Sequence, residues 1–159
     1  MRVLRRVRRS PDGTFAVRLG VAERELVRSI PGELRALLLE PEDEDDPALR
    51  RLFPPASRDD EELNAEFERL VRDDLLASRL ESLDTLERTL DAERLTEDEL
   101  VAWLAALNDV RLVLGTRLDV TEETTARDFA GEEPRTRVFA AYLFLTLLEE
   151  QVVEALSSD

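Results

Sequence analysis

The sequence predicts a mainly α fold: a helical bundle of about four to five helices with an N-terminal β-hairpin, built as a single domain over 1–159. Three observations carry that expectation. Strong turn chemistry near the start separates two short runs, apolar residues recur at helical spacing over most of the rest, and 159 residues with 43% hydrophobic content suffice for one core.

The hairpin occupies 1–20. Ser10-Pro11-Asp12-Gly13 separates an arginine-rich run from Phe15, Val17 and Leu19, which alternate with Ala16 and Arg18 as a half-buried strand does. A helix follows over 21–39, with Leu26, Val27, Ile30, Leu34, Leu37 and Leu38 at helical spacing. Pro31 interrupts it, so the helix is expected either to kink there or to split, with Ser29 capping the second part. Residues 40–58 hold Pro41, Pro47, Pro54 and Pro55 among acids and read as a loop with at most one short turn of helix around Ala48 to Phe53.

Ser57 and Asp60 resemble a capping box that opens a long helix over 59–91. Its apolar stripe changes direction. Leu63, Phe67, Leu70 and Ala77 share one face and Leu76, Leu80, Leu83 and Leu90 the opposite one, so the halves need different neighbours or a break near 74–78. Thr96 and Glu99 form a second capping box, opening a helix over 97–118. The polar segment 121–133 reads as a loop, and Pro134 suits the first turn of a last helix over 134–157.

The helix over 97–118 is apolar on both sides, with Trp103, Leu107 and Val110 on one and Val101, Leu112 and Val113 on the other, which makes it a central helix. Asn108, Asp109 and Arg111 lie in its middle. Asp109 and Arg111 are two apart and cannot pair on one helix. The acid expected to meet Arg111 is Asp74, which interrupts the stripe of Phe67 and Leu70, and the three residues Asp74, Asn108 and Arg111 are expected to form a buried polar network. A ligand pocket around Asn108 and Arg111 is the functional counterpart of that structural expectation. In the last helix Phe139, Tyr142, Leu143 and Leu147 exceed what one small core can cover and suggest a homodimer surface.

Chemistry is sparse. The chain has no Cys and no His, and all 22 of its basic residues are Arg. Thiolate zinc sites, thiol nucleophiles and imidazole bases are therefore excluded from these residues, and no phosphate loop, dinucleotide fingerprint or nucleophile elbow occurs. We expect no catalytic residues, no metal and no cofactor. The run Glu42 to Asp46 lacks the glycine turn and distal glutamate of a calcium loop. The longest near-continuous apolar run, 138–148, is shorter than the roughly 18–20 residues that span a bilayer, and the start lacks a signal-peptide core, so a cytoplasmic protein without a membrane segment is expected.

Charge is uneven. The net charge is −15, yet residues 1–20 hold six arginines against Asp12, leaving −20 on the remainder. Arg2, Arg5, Arg6, Arg8 and Arg9 therefore suggest a surface for an anionic partner, protein or DNA. The bland alternatives are that they pair with the chain's own acidic stretch at 42–46 or form a solvated face.

Three segments carry a resemblance: 46–76 (DPALRRLFPPASRDDEELNAEFERLVRDDLL), 103–120 (WLAALNDVRLVLGTRLDV) and 142–156 (YLFLTLLEEQVVEAL). Together they resemble an actinobacterial family classed as a domain of unknown function, whose named member is the oxidative-stress transcriptional regulator AosR. The resemblance implies a cytoplasmic, largely helical protein in stress-linked transcription, acting through a partner such as a sigma factor and RNA polymerase. The named regulator's redox response is attributed to a cysteine pair, and this chain has no cysteine. Members of the family can be encoded near a Clp protease adaptor, which leaves a homodimeric interaction or adaptor module as the alternative.

Overall fold

The computed structural model describes residues 4–53, 61–125, 128 and 134–158, and along 61–64 the backbone alone. In chain order the described elements are β1 (Val7–Arg9), β2 (Phe15–Val17), α1 (Val21–Leu39), α2 (Pro47–Leu52), α3 (Glu61–Thr89), β3 (Arg94–Leu95), α4 (Glu97–Leu118) and α5 (Arg135–Ser157). The fold is mainly α with an N-terminal hairpin, as the sequence predicts. The Ser57–Asp60 capping box lies outside the described residues, as do Arg2 and most of the loop over 126–133.

Helix α4 is central. It packs against α3, α5 and α2, and Leu100, Trp103, Leu107 and Val110 on one side and Val113 on the other are buried. Its start is the predicted capping box: Thr96 Oγ1 accepts from the Glu99 N–H at 3.2 Å, and the Glu99 carboxylate accepts from the Thr96 N–H at 2.9 Å. Its end is a left-handed turn at Asp119 (φ 56°), where the Val120 N–H reaches the Gly115 carbonyl at 2.9 Å and the Asp119 N–H the Thr116 carbonyl at 3.2 Å. Gly115 therefore lies within the helix, with the Tyr142 ring 3.5 Å from where a Cβ would stand, an ordinary van der Waals contact. The Trp103 indole N–H, fully buried, donates to Thr89 Oγ1 at 2.8 Å and ties α4 to the end of α3.

The hairpin turn forms at Ser10 to Gly13, with Gly13 at φ +86°, a conformation that suits the residue without a Cβ. Val7 pairs with Val17 and Arg9 with Phe15. A third strand, β3, adds to β2 with Phe15 opposite Leu95, giving the order β1-β2-β3. Two residues show no period, so β3 is not legible in the sequence. Val7, Phe15, Val17 and Leu95 turn their side chains onto the helices and are buried. Gln151 of α5 holds the chain entering β1: its carbonyl oxygen accepts from the Arg6 N–H at 2.6 Å and its amide donates to the Leu4 carbonyl at 2.9 Å.

Helix α1 continues through Pro31 without splitting. Ser29 does not cap a second helix, because its hydroxyl donates back to the Leu26 carbonyl at 2.6 Å. The segment read as loop contributes core: Asp46 accepts the Ala48 N–H at 2.9 Å, Pro47 opens α2, and Ala48, Leu49 and Leu52 are buried against α4. Helix α3 is likewise unbroken at 74–78; its halves differ in burial instead, with Phe67 and Leu70 exposed and Leu83 and Leu86 buried. Among the described residues, no helix is long and apolar enough to cross a membrane.

Candidate functional site

The arginines of the first strand are sorted by the alternation of its side chains. Val7 points inward and Arg8 outward, while the flanking arginines reach back to the body. Arg6 donates to the Glu23 carboxylate through Nε at 2.9 Å and Nη2 at 2.5 Å, with its guanidinium 5.2 Å from the Phe144 ring centre. The hydrogen bonds raise the Arg6 pKa and hold Glu23 below the usual carboxylate value, partly opposed by burial. Arg5 pairs with Glu154 at 3.1 Å in an exposed bridge worth little on its own. Arg9 lies 4.8 Å over Phe15 and donates to the Leu156 carbonyl at 3.3 Å, leaving its buried Nε without an acceptor. Arg8 is exposed and has no partner among the described residues.

A groove of about 510 Å³ opens between β1, its turn and the last turns of α5, lined by Arg5, Arg8, Arg9, Ser10, Gln151 and Ser158. Its basic side chains are therefore largely positioned before any partner arrives. The expectation that the arginines pair with residues 42–46 does not hold for those described: Arg5 and Arg6 pair with Glu154 and Glu23, whereas Asp46 meets Arg117 at 3.0 Å and Asp45 meets Arg50 at 3.8 Å.

The interior polar residues are arranged differently from the expected Asp74, Asn108 and Arg111 network. Asp74 and Asn108 are exposed, and Arg111 pairs instead with Glu149 of α5 at 2.8 Å, with Tyr142 5.9 Å from its guanidinium. The interhelical acid on the α3 side is Asp109, 6% exposed, which faces Arg79 at 3.4 Å. Burial pushes the Asp109 carboxyl up to about 6, against a smaller opposing pull from Arg79. Arg79 also lies 5.6 Å from the Phe53 ring centre, which Arg72 covers at 4.5 Å. The signal for Asp109 was present: it lies opposite the Trp103 face on a helix apolar on both sides, so an acid there also had to be covered.

The suggested homodimer residues do not form one exposed patch. Phe139 is buried, stacks 6.2 Å from Tyr142 and shares a small cluster with Leu118; Tyr142 and Leu147 are half-buried, and Leu143 alone of the four is exposed.

Comparison with known proteins adds three findings. The family model described as "Domain of unknown function (DUF2017)" matches residues 4–156. The Mycobacterium leprae protein named "Putative oxidative stress regulator AosR" is 35% identical over 129 residues, covering 70% of this chain and 59% of the relative. The "Oxidative stress regulator AosR" proteins of Mycobacterium bovis and Mycobacterium tuberculosis are each 34% identical over 125 residues, covering 68% of this chain and 57% of theirs. The chain thus spans less than three-fifths of the length of these curated relatives. No solved structure matches it.

Proposed function

The chain belongs to the DUF2017 family, and on that footing we propose that it is a non-enzymatic, AosR-like regulatory protein of stress-linked transcription that docks a protein partner beside its arginine hairpin. The observation that carries this reading is the groove itself. Arg5 and Arg9 are tethered to the body and Arg8, without a partner among the described residues, projects beside them, so an acidic partner surface finds cations already in place and loses little side-chain entropy on binding. A sigma factor or RNA polymerase is the partner implied by the resemblance. Direct DNA contact through the same arginines is less favoured, because the remaining −20 of charge opposes a phosphate backbone. With no cysteine in these 159 residues, regulation here proceeds without a thiol switch in this segment. The absence of Lys, His and Cys supports a non-enzymatic role, and the setting proposed is the cytoplasm.

The test is affinity purification of the tagged protein from its host beside an Arg5→Ser/Arg8→Ser variant, which spares Arg6 and Arg9 and therefore the packing of the hairpin. Recovery of RNA polymerase or a sigma factor with the parent and its loss with the variant is the expected result. Equal recovery from both would overturn the groove assignment. Recovery of protease components alone would instead favour the second reading, a homodimeric interaction or adaptor module, which the exposed Leu143 on α5 supports.

A further inference from the structure

A second concavity lies where α4 meets the end of α2 and the middle of α5. It measures about 260 Å³ and is lined by Arg51 of α2, by Asn108, Arg111, Gly115 and Thr116 of α4, and by Tyr142 of α5, with Leu112, Asp119 and Val120 completing it. The α4 residues recur at three and four apart, so they form one face of the helix, and the glycine at its middle lets the cleft reach the backbone.

Its polar groups are not used up by the fold. Arg111 engages Glu149 through Nη1, but its buried Nε has no acceptor. Arg51 and Asn108 are exposed and have no partner among the described residues. Thr116 is already engaged, since its hydroxyl donates to the Leu112 carbonyl at 2.9 Å. The free donors are thus the Arg51 guanidinium and the Asn108 amide, grouped in one cleft beside the Tyr142 ring and the Glu149-paired Arg111. Guanidinium forks match the two coplanar oxygens of a carboxylate.

We propose that this cleft binds a small organic carboxylate as an effector, with Arg51 meeting the anion and Asn108 bonding to the rest of the molecule. The volume lies below the roughly 300–1,000 Å³ of sites for drug-sized ligands, which favours a compact acid over a nucleotide. Asp119 lines the cleft eight residues beyond Arg111, about 12 Å along the helix axis, and its charge disfavours a fully ionised phosphate more than a singly charged carboxyl group. Because Arg111 and Tyr142 bridge α4 and α5, occupancy would stiffen that helix pair. The inference is independent of the partner groove.

The experiment titrates the protein with lactate, a singly charged acid, and, separately, with inorganic phosphate, at fixed ionic strength up to roughly 10 mM, the range of a millimolar site. Backbone amide shifts of Gly115 and Thr116 are followed by NMR. Arg51→Gln and Asn108→Leu, both at exposed positions, are compared with the parent after their melting temperatures confirm intact folds. The expected result is saturable shifts with lactate whose affinity weakens about tenfold in Arg51→Gln, as loss of one charge-assisted contact implies. Absence of shifts, parental affinity in both variants, or phosphate binding as tightly as lactate would each overturn the assignment.

Discussion

Asp109→Asn isolates the one interior acid among the described residues whose ionisation opposes folding. In the folded chain burial raises Asp109 from an ordinary 3.8 to about 6, so between those values the native state holds a proton that the unfolded chain has released. Its contribution is therefore most favourable below about pH 4 and declines as pH rises through 6, the reverse of a salt-bridged carboxylate. About two pKa units at 1.36 kcal/mol each amount to roughly 3 kcal/mol between the limits, of which about 2 kcal/mol falls between pH 4.5 and 7. Asparagine keeps the shape and does not titrate. The attraction of Arg79 for the ionised carboxyl is already contained in the value of about 6, any pH-independent cost of the substitution enters equally at every pH, and the other acids titrate alike in parent and variant. Urea unfolding of both proteins at pH 4.5, 5.5 and 7.0 is then expected to show the variant gaining about 2 kcal/mol on the parent as pH rises. A stability difference constant across that range would refute the reasoning and mean that Arg79 holds Asp109 at an ordinary carboxylate pKa.

Gln151→Leu is expected to destabilise by about 1–3 kcal/mol, because the Arg6 N–H loses its acceptor in a part-buried site. Hydrogen exchange should show the Arg6 amide losing protection before the helices do. Thr89→Val leaves the buried Trp103 indole N–H unpaired and is expected to cost a similar amount, about 1–3 kcal/mol, read in urea midpoints; an unchanged midpoint would refute it. Asp119→Gly is expected to stabilise by about 0.5–1 kcal/mol, because the helix-ending residue sits at φ 56° where glycine escapes the Cβ penalty; a lower melting temperature would contradict this.

Much of the local structure was legible because it depends on neighbours in the chain. The Ser10 to Gly13 turn follows from residues that tolerate its backbone angles, the Thr96 to Glu99 capping box from side chains three apart, and the central position of α4 from apolar residues on both of its sides. The short helix expected around Ala48 to Phe53 is α2, but its place in the core was not legible among prolines and acids, and β3 is too short to show a period.

Sequence by itself therefore determined the helical class, the hairpin, both signs of the charge pattern and the absence of thiol chemistry. Tertiary structure decided which charges meet. Arg111 needed an acid, but whether it was Asp74 or Glu149 depended on the rotation of α3 and α5 about their axes, and that rotation is set by how Leu83, Leu86, Leu145 and Leu148 pack. Likewise Arg5 and Arg6 could have met any of 37 acids. They pair with Glu154 and Glu23 because burial of Val7, Phe15 and Val17 lays β1 against α5 and brings Arg6 to the start of α1, leaving Arg8 outward beside the groove. Pairing between distant residues is a property of the packed core, since chain spacing specifies a side chain's neighbours on its own helix or strand and not those across it.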